Sequence, residues 1–433
     1  MSGCESGDCG CDTIKVDLIP YDQALENLLS FANTVEGNDS VSLTEALNRT
    51  LAEDIKSAIN VPPAANSAMD GYAIRLSDVN AGGTTTLNVS QRIPAGEVGE
   101  VLGQIAQATG EVGEPVATGT AARIFTGAVV PAEADVVIMQ EQVEAEGDSM
   151  SFDAEVKLRQ NIRAAGEDIS ENQTILTKGT RLRAQDLGLA ASIGTDHFQV
   201  TRKVRVGIFF TGDELVEPGK PLGPGKIYDS NRYTLTGLLQ NMGCEIVDLG
   251  IVGDTFDQTT EAILKATETT DLVITSGGVS VGEEDHVRIA LEKLGELHMW
   301  RLKIKPGKPL AFGIVNDTAF MGLPGNPVSA FATFCLFVAP FIKKLQGRSK
   351  IYTESTQVTA NFEWPTPDRR REFTRAKITR NNNNQLQASL YPNQGSGVLM
   401  STSWADGFID IAENTSVTSG DQVNYMSFKD ILE

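Results

Sequence analysis

The sequence predicts a multidomain fold. It combines a three-layer α/β domain with a mainly parallel sheet, an inserted small β domain, a helical and extended N-terminal domain, and a C-terminal β-barrel-like domain. The chain has 433 residues, more than one hydrophobic core usually serves. Apolar strands alternate with amphipathic helices from residue 203 to residue 347, which is typical of a parallel sheet covered on both faces. Short β-branched runs broken by glycine and proline flank that region, and they indicate small β domains.

Changes in this pattern predict the domain bounds. Residues 1–12, which include Cys4, Cys9 and Cys11, are interpreted as a disordered tail. The predicted domains are the N-terminal domain at 13–60 and 167–202, the inserted β domain at 61–166, the α/β domain at 203–347 and the C-terminal β domain at 348–433.

Helical spacing of apolar residues predicts two short N-terminal helices, one around Ala24–Ala32 and one around Leu43–Leu51. In the α/β domain, Asp229 is predicted to cap a helix that ends near Gly243. The other predicted helices there are Gln258–Thr267, His286–Leu294 and Pro327–Leu345, and the predicted strands are Val204–Phe210, Glu245–Leu249, Leu272–Thr275, Leu310–Ile314 and Ala319–Gly322.

Composition argues against several classes of protein. The net charge of -21 disfavours nucleic-acid binding, because a phosphate backbone requires a basic face. The apolar stretch Ala330–Ile342 is too short to cross a membrane and is predicted to be a buried helix. Met1–Asp12 lacks the features of a secretory signal, and the five cysteines do not suggest a disulfide framework. We therefore expect a cytoplasmic protein with neither nucleic acid nor membrane as a partner.

Candidate site residues follow the predicted strands, because ligands of open parallel sheets bind beyond the carboxyl ends of the strands. The first strand leads into Asp213 and Glu214. Another leads into Ser276–Asp285, whose glycines allow backbone N–H groups to approach a phosphate and whose acids suit a hard cation. A tight strand-to-helix turn without a ligand is the alternative.

A basic cluster forms a second candidate. The predicted strand Met299–Lys305 carries Arg301, Lys303 and Lys305 at alternate positions, so all three would point to one face, and Lys308 follows. In an acidic chain this cluster indicates an anion site. The alternative is a solvated charged face.

The segment Gly322–Ser329 begins the long helix, with Asn326 predicted as the N-cap and Pro327 as the first helical residue. Exposed N–H groups there would bind an oxyanion, whereas the alternative is a rigid loop that only starts a helix. Gly278–Gly282 matches the Gly-x-Ser-x-Gly pattern of α/β hydrolases. An esterase is not favoured, because the later histidines, His286 and His298, do not follow a separate acid in the required order.

Six strings in one order resemble the molybdopterin molybdenumtransferase family, to which the gephyrin E domain is related. They are Asn66–Ala73, Thr211–Leu215, Asp229–Arg232, Ser276–Gly282, Lys305–Pro309 and Gly322–Ser329. The resemblance extends from about Ile14 to the C-terminus. The chain departs from the family at Ala64-Ala65, where a bulkier or acidic residue is common, at Arg301, where lysine also occurs, and in the longer segment 91–118.

The resemblance implies an enzyme that inserts molybdenum from molybdate into adenylylated molybdopterin and releases AMP, assisted by Mg²⁺ or another divalent cation. It also implies an L-shaped homodimer with shared active sites, each formed by the α/β domain of one subunit and the first β domain of the other. Asp70 and Thr126 would reach across that interface, and Asp168 matches a further family position. The upstream adenylyltransferase is an expected partner.

Roles for individual residues are likewise implied by the resemblance. Asp213, Glu214 and Asp285 would lie near the metal and the phosphates, and Arg301, Lys305 and Lys308 would neutralise pyrophosphate or molybdate. The implied catalytic residues are Asp70, Glu214, Asp254, Asp285, Lys305 and Lys308. The implied substrate-binding residues are Thr126, Asp168, Ser276, Gly277, Gly278, Ser280, Arg301, Pro324, Asn326, Pro327 and Ser329.

Two other functions remain as alternatives. A molybdopterin adenylyltransferase would share the Gly277-Gly278 loop but would not need the N-terminal domains or the C-terminal β domain. A non-catalytic scaffold would need neither the carboxylates nor the lysines, which this chain retains.

We expect Asp285→Ala to abolish AMP release without unfolding the protein, because it removes an acid implied to lie beside the metal and phosphates. Chromatography of released AMP and circular dichroism would measure the two effects. Full turnover by this variant would remove Asp285 from the site.

Overall fold

The computed structural model describes residues 18–96, 114–278 and 286–433, without the side chains of residues 299 and 300. The predicted tail at 1–12 lies outside the described residues, as does most of the long segment 91–118. The candidate residues Ser280 and Asp285 also lie outside them.

Residues 18–202 form a small helical and extended part and a six-stranded β unit inserted into it. The β unit has the strand order β7-β4-β6-β5-β9-β8, and the short pairs β1–β12, β2–β11 and β3–β10 join the two halves of the extended part. The elements are α1 (Tyr21–Ser30), β1 (Asn38–Ser42), β2 (Ile55–Lys56), β3 (Asn66–Ser67), β4 (Gly71–Ile74), β5 (Thr85–Ile93), β6 (Thr120–Ile124), β7 (Val136–Met139), β8 (Glu144–Glu146), β9 (Ser149–Phe152), β10 (Ile162–Arg163), β11 (Thr174–Leu176), α2 (Ala184–Ser192) and β12 (His197–Thr201).

The first predicted N-terminal helix is confirmed as α1, but the second, at 43–51, is wrong. Residues 43–51 form turns, and Leu51 makes an isolated β-bridge to Val200. Ala46 and Leu51 are buried in a core that also contains Phe198. Pairing and packing with a distant segment therefore override the local helical spacing.

The α/β domain has a six-stranded sheet in the order β16-β13-β17-β21-β20-β18. The first four strands run parallel to one another. β20 runs antiparallel to β21, and β18 runs antiparallel to β20. Side chains of α1, α3 and α6–α7 pack on one face, and those of α4 and α5 pack on the other. This arrangement confirms the predicted three-layer fold. The elements are β13 (Arg205–Thr211), β14 (Leu215–Val216), β15 (Ile227–Tyr228), α3 (Ser230–Asn241), β16 (Glu245–Val252), α4 (Phe256–Thr267), β17 (Leu272–Ser276), α5 (His286–Leu294), β18 (Glu296–Arg301), β19 (Ile304–Lys305), β20 (Pro309–Val315), β21 (Thr318–Leu323), α6 (Pro327–Thr333) and α7 (Ala339–Leu345).

A π-helical segment, Phe334–Val338, joins α6 and α7 into one helix of 19 residues. By length and composition this helix is long and apolar enough to cross a membrane, but 94% of its most apolar window is buried inside the fold. The prediction of a buried helix from Ala330–Ile342 is confirmed.

The C-terminal region is a β-barrel, as predicted. Its strand order is β23-β24-β22-β26-β25, and β25 also pairs with β23, so the five strands close on themselves. The elements are β22 (Thr356–Ala360), β23 (Arg371–Arg380), β24 (Leu386–Leu390), α8 (Met400–Trp404), β25 (Gly407–Ile411), β26 (Gln422–Ser427) and α9 (Phe428–Leu432).

The single strand predicted over Met299–Lys305 is wrong, because the chain changes sheets within it. β18 ends at Arg301 in the α/β sheet, whereas β19 pairs in parallel with β23 of the barrel through Ile304 and Arg371. Arg301, Lys303 and Lys305 therefore do not share one face of one strand.

Candidate functional site

A cavity of about 1020 Å³ opens at the carboxyl edge of the parallel strands. β13 lies between β16 and β17, so the connection after β13 leads to the strand on one side of it, and the next connection returns past β13 to the strand on its other side. Such a switch point is where ligands of open α/β sheets bind. The barrel supplies a further wall through residues 394–397. The candidate residues that line the cavity are Glu214, Ser276, Gly277, Gly278, Lys305, Lys308, Pro324, Asn326, Pro327 and Ser329.

Asn231, in the first turn of α3, ties two loops of this cavity together. Its Nδ2 donates to Ser276 Oγ at 2.8 Å and to the main-chain oxygen of Gly325 at 2.8 Å. Ser276 Oγ in turn donates to the main-chain oxygen of Pro324 at 3.0 Å. The hydroxyl of Ser276 therefore uses its hydrogen bonds to connect the loop that follows β17 to the loop that follows β21 and to α3.

Gly277 permits the close approach of the loops after β13 and β17. Its φ is +100°, and a Cβ added there would lie 2.8 Å from the main-chain oxygen of Thr211. A side chain would meet both an unfavourable backbone conformation and a backbone clash, so this position requires glycine.

Lys305 enters the cavity already paired with carboxylates. Its Nζ lies 2.8 Å from Glu372 Oε1 and 3.5 Å from Asp368 Oδ2. The Arg370 guanidinium makes a bidentate contact with Asp368, at 3.0 and 2.8 Å, and holds the pKa of that carboxyl well below its usual range. These carboxylates fix the position of Lys305 and balance part of its charge.

The start of the long helix differs in one respect from the prediction. α6 begins at Pro327 after an extended Asn326, but the Asn326 side chain makes no capping hydrogen bond. The N–H of Val328 donates to the main-chain oxygen of Ser396 at 3.0 Å, so the helix start offers fewer free donors than expected. Ser329 lines the cavity although its residue is only 4% exposed.

Three further candidates on the α/β domain lie outside the cavity lining. Asp254 Oδ1 accepts a hydrogen bond from Thr211 Oγ1 at 2.8 Å, and Thr211 itself lines the cavity. The main-chain oxygen of Asp213 accepts a hydrogen bond from Lys226 Nζ. Direct roles for Asp254, Asp213 and Arg301 therefore stay predictions.

The candidates from the N-terminal half also lie outside the cavity of their own chain. Asp70 Oδ1 accepts hydrogen bonds from the N–H of Thr126 at 2.7 Å and from its hydroxyl at 2.8 Å. These bonds lower the pKa of Asp70, so its side chain is an anion at neutral pH. Asp168 is exposed, and its N–H donates to the main-chain oxygen of Val61 at 3.0 Å.

Sequence reasoning missed Asp229 and Arg370 as cavity residues. Asp229 is 2% exposed; one carboxylate oxygen accepts from the N–H of Arg232, and the other has no hydrogen-bond partner among the described residues. Burial raises the pKa of Asp229. The sequence identified it only as a helix cap, although its string belongs to the family resemblance. No sequence motif marks Arg370 as a cavity residue. It lies in the C-terminal region, and only the packing of the barrel against the α/β domain brings it to the cavity.

Comparison with known proteins covers nearly the whole chain. Three family models match in order: "MoeA N-terminal region (domain I and II)" at 19–194, "Probable molybdopterin binding domain" at 207–344 and "MoeA C-terminal region (domain IV)" at 357–428. A molybdopterin molybdenumtransferase of Haemophilus influenzae is 40% identical over 420 residues, which cover 96% of this chain and 100% of that relative. The chain belongs to the molybdopterin molybdenumtransferase family.

Further similarity to molybdopterin molybdenumtransferases and their solved structures agrees with this assignment. A molybdopterin molybdenumtransferase of a Nostoc species is 38% identical over 331 residues, covering 75% of this chain and 73% of the relative. The crystal structure of the molybdopterin biosynthesis MoeA protein from Pyrococcus horikoshii OT3 superposes with a TM-score of 0.79 at 32% identity, covering 95% of this chain and 100% of that one. The predicted fold class is therefore confirmed by a solved structure of similar sequence as well as by the fold of this chain.

Asn231→Asp should loosen the sheet edge. A carboxylate oxygen would replace the amide donor that faces the Gly325 carbonyl, and the unfavourable contact should cost about 1–3 kcal/mol. We expect a lower urea midpoint and a turnover reduced by about tenfold or more, since 1.4 kcal/mol corresponds to a factor of ten.

Asn361→Asp is the matched control, because Asn361 is an exposed barrel residue whose Nδ2 meets Ser389 Oγ at 3.3 Å. Equal midpoints and equal turnover in the two variants would mean that Asn231 does not hold the edge.

Proposed function

We propose that this enzyme inserts molybdenum from molybdate into adenylylated molybdopterin and releases AMP. The observation that carries the proposal is the single cavity that joins Glu214, Lys305, Lys308 and Ser329 at the sheet edge. Its volume of about 1020 Å³ lies at the upper end of the range, about 300–1,000 Å³, that is typical of small-molecule sites. A phosphorylated pterin and an oxyanion are ligands of suitable size and charge.

The cavity's side chains suggest how this reaction proceeds. Lys305 and Lys308 would place positive charge beside the phosphoanhydride and spread the negative charge that develops as the bond to AMP breaks. Ser329 lines the cavity, and its hydroxyl would donate a hydrogen bond to the oxyanion. Ser276 is better suited to positioning, because its hydroxyl already donates to the main-chain oxygen of Pro324.

A divalent cation, commonly Mg²⁺, is compatible with this donor set. Mg²⁺ in phosphate sites is usually held by one or two carboxylates together with substrate phosphates and water. Glu214 supplies a carboxylate at the cavity, and no group of three or more His, Cys, Asp or Glu suited to a metal occurs within the described residues. Asp213 and Asp285 remain proposed ligands. When bound, such an ion neutralises phosphate charge.

We further propose a cytoplasmic homodimer with shared active sites. Asp70 and Thr126 form an ordered polar pair on the inserted β unit, away from the cavity of their own chain. Across a two-fold interface such a pair would complete the cavity of the partner subunit. The adenylyltransferase that makes the substrate is the proposed functional partner.

A direct assay tests the reaction. The purified enzyme should consume adenylylated molybdopterin and release AMP only when molybdate is present, as followed by chromatography. Synthesis of adenylylated molybdopterin from ATP would instead identify an adenylyltransferase, and inactivity in both assays would favour a scaffold.

Complementation between inactive variants tests the shared site. Asp70→Asn and Lys305→Gln should each be inactive alone, but a mixed dimer would contain one site with both residues intact. Co-expressed subunits that pair at random should therefore recover about a quarter of wild-type activity.

Co-expression of Lys305→Gln with Glu214→Gln is the control, because both residues line the cavity of the same subunit and every mixed site stays defective. Recovery in neither mixture would contradict the shared site while leaving the proposed reaction intact.

A further inference from the structure

A second cavity, of about 730 Å³, lies at the other end of the long helix. The helix begins at the first cavity with Pro327, and Lys343 in its last turn lines the second cavity. Residues 179–184 and 348–356 form most of the remaining wall. None of the described residues lines both cavities, so the second cavity is a separate feature.

Three cations of this second cavity, Arg181, Lys343 and Arg348, have no side-chain carboxylate as an ion-pair partner in the described part of the chain. Arg348 is 5% exposed, and its Nε and Nη2 have no hydrogen-bond partner, while Nη1 donates to an oxygen of the α-carboxylate of Glu433, the last residue. Arg181 Nε is also buried without a partner. Lys343 Nζ donates to the main-chain oxygen of Asp430 at 3.2 Å. Buried charged donors without acceptors are costly, so an anion placed among them would be stabilised.

Most other charges around this cavity are already compensated. The compensating pairs are Arg183 with Asp186, Lys350 with Glu354 and Lys429 with Glu433. Asp430 and the α-carboxylate of Glu433 are then the carboxylates of the described lining that oppose the three cations. The remaining excess of positive charge is complementary to an anion.

The cations are not needed to cap the helix. The N–H groups of residues 346, 347 and 348 already donate to the last helical carbonyls, at distances of 2.9, 2.9 and 3.0 Å. Burial lowers the pKa of Lys343 to about 8 and that of Arg348 to about 10. Both groups are therefore mainly protonated at neutral pH, in an environment that disfavours their charge until an anion is bound.

We propose that the second cavity binds an oxyanion group, either free inorganic phosphate or the phosphoryl group of a small molecule. Arg181 and Arg348 would donate charge-assisted hydrogen bonds to its oxygens, and Lys343 would supply the third positive charge. The volume of about 730 Å³ accommodates more than a lone phosphate ion.

Isothermal titration of the full chain with inorganic phosphate, at pH 7 and with ionic strength held constant by chloride, tests the proposal. Arg181→Gln should weaken phosphate binding by about 10- to 100-fold, the loss expected for one hydrogen bond to a charged group. The matched control is Arg205→Gln, which also removes one positive charge but from an exposed side chain that pairs with Glu245. The control should bind phosphate like the wild type.

Phosphate can also enter the first cavity, so the comparison of the two variants isolates the second. Equal binding by Arg181→Gln and Arg205→Gln would overturn the proposal, as would the absence of binding by the wild-type protein. If Arg181→Gln does not fold, Lys343→Gln must show the same loss. A titration with ribose 5-phosphate distinguishes a phosphorylated small molecule from free phosphate as the ligand. Tighter binding of ribose 5-phosphate than of phosphate indicates a phosphorylated small molecule, and weaker binding indicates the free ion.

Discussion

The common register of β13, β17 and β21 is the constraint on which the cavity at the sheet edge depends. Phe210 lies opposite Ser276, and Ser276 lies opposite Leu323, so the three loops leave the sheet at one level. A one-residue slip would turn the side chain of Ser276 to the other face of the sheet, and it would break the hydrogen bonds to Asn231 and Pro324. The position of the groups that line the cavity is therefore a consequence of strand pairing, which the buried apolar faces of the sheet stabilise.

The barrel is part of the same site. β19 leaves the α/β sheet and pairs with β23, which brings Lys305 to Glu372. Glu372 is 2% exposed, and its other oxygen accepts a hydrogen bond from Trp364 Nε1 at 2.7 Å. A buried carboxylate held in this way keeps the neighbouring ammonium group in place. An isolated α/β domain would lack this support, so the barrel is part of the cavity's structure and is not only an appended domain.

Local signals in the sequence predicted the parts of the fold whose cause is local. β13 and α3 were predicted because apolar runs, the Asp229 cap and the terminal glycine agree with one another. The segment 43–51 was mispredicted because its apolar spacing suits a helix in isolation, whereas contacts with residues near 200 decide its conformation. The segment 299–305 was mispredicted for a related reason. Its alternating basic residues suggest one continuous strand, whereas the chain leaves the α/β sheet after Arg301 and joins the barrel at Ile304. Arg370 could not be assigned to the cavity because its contact depends on how the barrel packs.

The dipole of the long helix accounts for a difference between the two cavities: the cation Lys305 of the first is paired with carboxylates, whereas guanidinium nitrogens of Arg348 in the second have no partner. The positive end of the helix dipole faces the first cavity, where it favours an anion, and Lys305 there can share its charge with Glu372 and Asp368. The negative end lies toward the second cavity and disfavours an anion. Binding there requires a larger excess of cations, and the unpaired guanidinium nitrogens of Arg348 together with Lys343 supply it. In a chain with a net charge of -21, such an excess is a local exception that opposes both the helix dipole and the overall field of the protein.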